Sequence, residues 1–158
     1  MRKGVSDMHR RAQIGQAANE QYYQAMATVQ DQTPLKTFTE PLCEAVKWKG
    51  GQVRGLNPLS HQDATLLEHV SRGEFTLNGF RNRDLRSLWF KAPAGDEKES
   101  RRRSAAVTRM IRMLRAHRLV QKRPRTHRYI VTSQGRSILT ALLSARQADT
   151  AKLTAIAA

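Results

Sequence analysis

Acidic residues are nearly missing from the last third of this chain. Residues 100–158 hold fourteen Lys/Arg against a single acid, Asp149, and no carboxylate occurs between Glu99 and Asp149. Other scarcities narrow the reading further. One cysteine, Cys43, excludes an intramolecular disulfide and favours a reducing compartment, the cytoplasm, with nucleoid association in a bacterial host. Aromatic residues make up 6% of the chain. The core must therefore be built mostly from Leu, Val, Ile, Met and Ala, and single-strand binding by base stacking is disfavoured. No apolar run approaches the length of a bilayer span, which excludes a membrane-spanning helix. The basic N-terminus, MRKGVSDMHRRAQIG, has no following apolar stretch and is not a secretory signal.

Missing chemistry is equally informative. Metal-dependent cleavage or strand transfer normally needs clustered carboxylates, whereas Asp63, Asp96, Glu97 and Glu99 read as helix-cap or loop residues. No Gly-rich phosphate loop follows a strand. Cys43 has no evident His partner, and its place in a helical stripe reads as a small core residue. His61 and His69 lie eight apart on one predicted helix, and His117 and His127 flank a predicted hairpin with no cysteine nearby. A structural metal is therefore not expected. The chain reads as a non-enzyme without a cofactor.

What is present is positive charge in one place. The 158 residues carry a net +15, distributed as +3 over residues 1–56, −1 over 57–99 and +13 over 100–158. A uniformly basic surface would not concentrate charge this way. A polyanion-binding face would.

Periodicity divides the chain into a helical extension with a short hairpin (1–56), a central domain (57–146) and a C-terminal helical tail (147–158). Residues 6–30 read as a helix capped by Ser6. Thr33-Pro34 starts another, with Leu35, Phe38, Leu42 and Val46 on one stripe and Pro41 as an internal break. Gly50-Gly51 between β-prone runs predicts a tight hairpin. Ser60 and Asp63 have capping-box spacing ahead of a helix that buries Ala64, Leu66, Leu67 and Val70. Phe75-Thr76-Leu77 alternates like a strand, and Asn78 is positioned to cap a helix burying Phe80, Leu85, Leu88 and Trp89. Residues 91–100, KAPAGDEKES, read as a polar loop. A helix over 101–117 follows, with Val107, Met110, Ile111 and Leu114 inward. Then come paired strands over 119–123 and 128–132, and a last helix begun by Thr132 or Ser133 that buries Ile138, Leu139, Leu142 and Leu143.

The stretch LRAHRLVQKRPRTHRYIVTSQGR is the most specific part of the chain. An amphipathic helix, a basic hairpin and a helix start, with Tyr129, Val131, Thr132, Gly135 and Arg136 following the hairpin tip, resemble the winged helix-turn-helix family over residues 57–146. The likeness is to regulator-like and mobile-element-associated members in particular. The runs NGFRNRDLR and EPLCEAVKWKG look similar to the C-terminal part of large uncharacterised bacterial proteins associated with mobile elements. That likeness implies a C-terminal module of a longer protein. The resemblance implies a mainly α fold with a small β-wing. Two departures stand out. Arg118 occupies a position where Gly often ends the third helix, and the 91–100 loop is long for a helix-turn-helix.

In that frame helix 101–117 is the recognition helix and 119–132 the wing. Ser104, Thr108, Arg112 and Arg115 form one outward stripe, with Ala105 and Arg109 beside it, for base edges. Arg101, Arg102 and Arg103 at the helix entrance suit phosphates. Lys122, Arg123, Arg125, His127 and Arg128 of the wing suit a minor groove or backbone. The Gly50-Gly51 hairpin, with Lys47, Lys49 and Arg54, reads as a connector before it reads as a second backbone contact. The expected partner is double-stranded DNA. An RNA-binding module using the same basic face and a protein-interaction domain of a larger assembly are the alternatives. The terminal helices, 6–30 and 133–157, are the candidates for a homodimer contact.

Overall fold

The computed structural model describes residues 34–76 and 78–148 and, before them, Met8, Ala12, Gln13, Gly15, Gln16, Asn19 and Glu20. The chain divides into two units, Met1–Thr33 and Pro34–Ala158. In the first, the seven described residues are helical and exposed, and the remaining positions of the expected 6–30 helix lie outside the described residues. The tail beyond Ala148 lies outside them too.

The second unit is mainly α with two small antiparallel hairpins. Its elements run α1 (Leu35–Cys43), β1 (Val46–Trp48), β2 (Gly51–Val53), α2 (His61–Val70), a 3₁₀ turn (Gly73–Phe75), α3 (Asn82–Trp89), α4 (Glu97–Ala116), β3 (Val120–Lys122), β4 (Tyr129–Val131) and α5 (Ser133–Gln147). One buried cluster joins them. Leu42 of α1, Val53 of β2, Leu66 and Leu67 of α2, Leu85 of α3, Val107, Ile111 and Leu114 of α4, and Ile138 and Leu139 of α5 all belong to it.

Most of the apolar stripes read from sequence pack: Ala64, Leu66, Leu67 and Val70 are all buried, as are Val107, Ile111 and Leu114, whereas Met110 is partly buried and Leu35 of the first stripe is exposed. Several boundaries differ, each for a local reason. Helix α4 starts at Glu97, inside the stretch read as loop. Asp96 caps it by accepting the Glu99 N–H at 2.6 Å, and the Glu99 carboxylate reaches back to the Gly95 N–H at 2.7 Å. With Glu97 and Glu99 in its first turn, the helix start is also favoured by its dipole. The α3–α4 connection shrinks to residues 90–96.

Helix α3 starts at Asn82, not after Asn78, because the Asp84 carboxylate accepts the Arg81 N–H at 2.8 Å. Of the strand expected at 75–77, Phe75 ends the 3₁₀ turn and Thr76 follows it as a turn, while Leu77 lies outside the described residues, and the extended pairing falls later. Phe80 and Tyr129 exchange both backbone hydrogen bonds at 2.8 Å. Gly79 permits this approach, since it has φ +62° and a Cβ there would sit 2.2 Å from the Tyr129 carbonyl oxygen. Val46 leaves the α1 stripe for β1, and Cys43, expected in the core, is exposed. In the first hairpin the two-residue turn is Lys49-Gly50, both at positive φ, and Gly51 pairs with Trp48 inside the ladder.

Ser60 caps α2 by accepting the Asp63 N–H at 3.2 Å. The other half of the expected box does not form, because the Asp63 carboxylate turns away to the first hairpin's exit. It binds both guanidinium nitrogens of Arg54, at 2.6 and 2.7 Å, and the Asn57 N–H at 2.9 Å. Arg54 is thus a structural residue that ties the hairpin to α2. Burial alone would raise the Asp63 carboxyl, but Arg54 and the Asn57 N–H outweigh it and hold the group below its ordinary range.

The reversal after α4 is the tightest junction. Arg118 takes the left-handed conformation, φ 58°. The Leu119 N–H bonds back to Leu114 O at 3.0 Å, and the Arg118 N–H to Arg115 O at 3.1 Å. This is the paired arrangement in which Gly is the usual left-handed residue. Thr132 then caps α5 through its hydroxyl, which accepts the Gly135 N–H at 2.8 Å and donates to Arg118 O at 2.8 Å. Gly135 packs so closely that a Cβ would lie 2.2 Å from Leu119 O.

Two substitutions at this junction should have opposite signs. Arg118→Gly relieves a left-handed penalty of about 1–2 kcal/mol against an unfolded-chain entropy loss of about 0.4–1 kcal/mol. It should raise stability by about 0.5–1 kcal/mol. Gly135→Ala should lower stability by about 2 kcal/mol or more. Denaturant melts of both variants check this, and equal shifts would refute the geometry.

Asp63→Asn should cost about 1–3 kcal/mol at neutral pH. Because the folded carboxyl is depressed, that stability is complete above the unfolded value near ~3.9. It is lost as pH falls through the folded value. Thermal melts between neutrality and acid pH should therefore draw together for wild type and variant as pH falls below about 4, meeting only below the folded value. Curves that stay parallel would show that Asp63 carries no such stability.

Candidate nucleic-acid interface

Helix α4 buries Val107, Ile111, Met113 and Leu114 and exposes Arg101, Arg102, Ala105, Thr108, Arg109 and Arg112. At 3.6 residues per turn, Arg102, Ala105 and Arg109 fall on one outward row. The run Arg101-Arg102-Arg103 splits by role. Arg101 pairs with Glu97 one turn back at 2.5 Å. Arg103 is held: its side chain is 15% exposed, its guanidinium meets the Glu99 carboxylate at 2.6 Å and donates to Ala92 O at 2.6 Å, and it lies 4.8 Å from the Phe90 ring. It pins the α3–α4 connection. Arg102 and Arg109 make no side-chain hydrogen bond or ion pair among the described residues and are exposed, although Arg102 still feels the Glu99 carboxylate electrostatically.

Ser104 and Thr108 also serve the fold. The Asn82 side-chain amide donates to Ser104 O at 3.0 Å and to the Thr108 hydroxyl at 2.9 Å, and its oxygen accepts the Ser104 hydroxyl at 3.2 Å. One Asn at the start of α3 thereby fixes how α3 crosses α4. The expected stripe Ser104, Thr108, Arg112, Arg115 is therefore occupied in its first half by helix–helix hydrogen bonds.

Its second half is occupied as well. The Arg112 guanidinium lies 5.8 Å and the Arg115 guanidinium 5.0 Å from the centre of the Trp48 ring, and Arg115 lies 5.8 Å from the Tyr129 ring. The first hairpin thus packs on α4, a contact that sequence reading passed over by treating the hairpin as a connector.

The second hairpin carries its cations outward. Lys122, Arg123, Arg125 and His127 are exposed, and Arg125 makes the tip with φ 57°. Arg128 is partly buried and donates to Asn78 O and Gly79 O at 3.2 and 3.3 Å, locking the hairpin base to the segment before α3. Sequence reasoning also passed over Arg83, Arg86 and Lys91, which line an open recess with Ser87 and Ser100 between α3 and the start of α4. Their signal was the spacing of Arg83 and Arg86, three apart on one helical face.

Among the described residues, no three His, Cys, Asp or Glu side chains converge to hold a metal ion. No helix among them is long and apolar enough to cross a membrane. No protein-family model, no curated protein and no solved structure matches the chain.

Proposed function

We propose that this chain binds double-stranded DNA as a winged helix-turn-helix module, with α4 as the recognition helix and the 120–131 hairpin as the wing. A transcription-regulator-like role or the targeting of a mobile-element protein fits that activity. The order α2, the single Phe80–Tyr129 strand pairing, α3, α4, hairpin, α5 supports the resemblance seen in the sequence. The observation that carries the reading is the exposed row Arg102, Ala105, Arg109 on a helix followed by an exposed basic hairpin, in a stretch that holds no carboxylate after Glu99 in the helix's first turn. An α-helix fits the major groove, where Arg pairs with guanine O6/N7 and a methyl group meets thymine. Arg109 and Ala105 are the base-facing positions in this reading. Arg102, Lys122, Arg123, Arg125 and His127 hold phosphates or an adjacent minor groove.

A random-duplex selection on the full chain, at salt high enough to suppress charge-only binding, should recover a sequence motif. Half-site symmetry in that motif would identify a dimer. Arg109→Ala should cost about 1–3 kcal/mol and relax preference at one base position. Arg102→Ala should weaken all sequences alike and lower the salt slope by about 1. Selective retention of duplex RNA would replace DNA by RNA as the partner. Binding that yields no motif and vanishes with salt would remove the base-reading claim.

A further inference from the structure

Three cations crowd one indole. Lys49 Nζ lies 5.1 Å from the Trp48 ring centre, with the Arg115 and Arg112 guanidinium carbons at 5.0 and 5.8 Å. Among the described residues, no carboxylate pairs with any of the three. The arrangement is built rather than incidental. The Lys49-Gly50 turn, with both residues at positive φ, brings Lys49 back over the ring that precedes it. Gly51 leaves the space that Arg112 fills, since a Cβ there would come within 2.8 Å of Arg112 Nη2. The Tyr129 ring, from the other hairpin, lies 5.8 Å from the Arg115 guanidinium.

Like charges repel, and the ring's negative face compensates only part of that repulsion. An anion with several acceptor oxygens, which guanidinium and ammonium donors can share, would complete the cluster. We propose that Trp48, Lys49, Arg112 and Arg115 form a phosphate-binding site that takes a backbone phosphate of nucleic acid, so that the first hairpin is a second phosphate-gripping arm beside α4. The proposal rests on the duplex-binding reading of α4. It assigns Arg112 to a phosphate, with Trp48 and Gly51 as positioning residues.

The test uses full-length Trp89→Phe protein, in which Trp48 is the remaining indole of the chain's two. Salt-dependent duplex affinity is compared for this protein, for Lys49→Gln with Arg112→Gln, and for Gly51→Ala. Gly51→Ala displaces the Arg112 guanidinium while leaving every charge in place. The double variant should lower the slope of log affinity against log salt by about 2 and Gly51→Ala by about 1, for all duplex sequences alike, with Trp48 emission changing on binding. An unchanged slope in variants that still bind duplex and melt like the parent overturns the proposal, even if Arg102→Ala and Arg109→Ala weaken binding as expected.

If the parent binds no duplex, inorganic phosphate titrated against chloride at matched ionic strength decides the matter. A saturable change in Trp48 emission, lost in the double variant, retains the phosphate site for a small phosphorylated ligand while the duplex reading falls. No response overturns the site as well.

Discussion

The chain reversal at Arg118 and Leu119 is the constraint on which the rest of the structure depends. It ends α4, starts β3 and receives the beginning of α5, all within a few ångströms. The Leu119 carbonyl accepts the Thr132 N–H at 3.0 Å, while the Thr132 hydroxyl donates to Arg118 O and caps α5. The second hairpin is thus closed at its base by the residues that begin the last helix, and Gly135 is required because no side chain fits against Leu119 O. A shift at this point would move the hairpin relative to α4 and separate the two basic surfaces of the proposed interface. The left-handed strain at Arg118 is tolerated because hydrogen bonds on both sides over-determine the turn.

The many arginines do different work, and the difference follows from what surrounds each guanidinium. Arg54 meets a carboxylate that is 3% exposed, Arg103 holds a loop and Arg128 holds a hairpin base. Arg146 donates to Pro58 O at 3.0 Å, tying α5 to the segment before α2. These residues use Arg's fork of donors to satisfy carbonyls or a carboxylate. Arg102, Arg109, Arg123 and Arg125 lack such partners among the described residues, and they are the ones exposed on α4 and the second hairpin. The net charge of +15 therefore overstates the number of unpaired cations, since even the acid-free stretch after Glu99 contains Arg128 and Arg146, which are tied to backbone carbonyls.

What the sequence made legible was local or periodic. The inward stripes of α2 and α4 follow a 3.6-residue repeat, and Thr132 three residues before Gly135 marks a cap. The start of α4 was obscured because Asp96-Glu97-Lys98-Glu99 has the composition of a solvated loop, although Asp and Glu at that spacing form a capping pair. The contacts that decide which α4 side chains are free were not legible at all. Asn82 reaches Ser104 and Thr108 from another helix, and Trp48 reaches Arg112 and Arg115 from another hairpin. Such pairings join distant residues through packing, and no periodicity along the chain encodes them. The outward stripe counted from sequence was displaced by about one row, from Ser104 and Thr108 towards Ala105 and Arg109, because helix geometry gives the faces but not their neighbours.

Energetics explain why the Trp48 cluster is informative. An exposed cation–π contact contributes about 0.5–1 kcal/mol. Like charges gathered at one site oppose one another, more strongly at the effective dielectric of a protein surface than in bulk water. Gathering Lys49, Arg112 and Arg115 around one ring therefore sets a small cation–π gain against a mutual repulsion that no carboxylate partner among the described residues offsets. A fold selected for stability alone would place a carboxylate there, as it does beside Arg54, or would let the three side chains diverge. An anion supplied from outside, as proposed, would reverse the balance, since each cation would then gain a charge-assisted hydrogen bond that no carboxylate among the described residues offers. The same reasoning separates the two kinds of basic residue on α4. Arg101 and Arg103, paired with Glu97 and Glu99, stabilise the helix start, whereas Arg109 and Arg112 have no carboxylate partner among the described residues and are the ones the proposed interface would use.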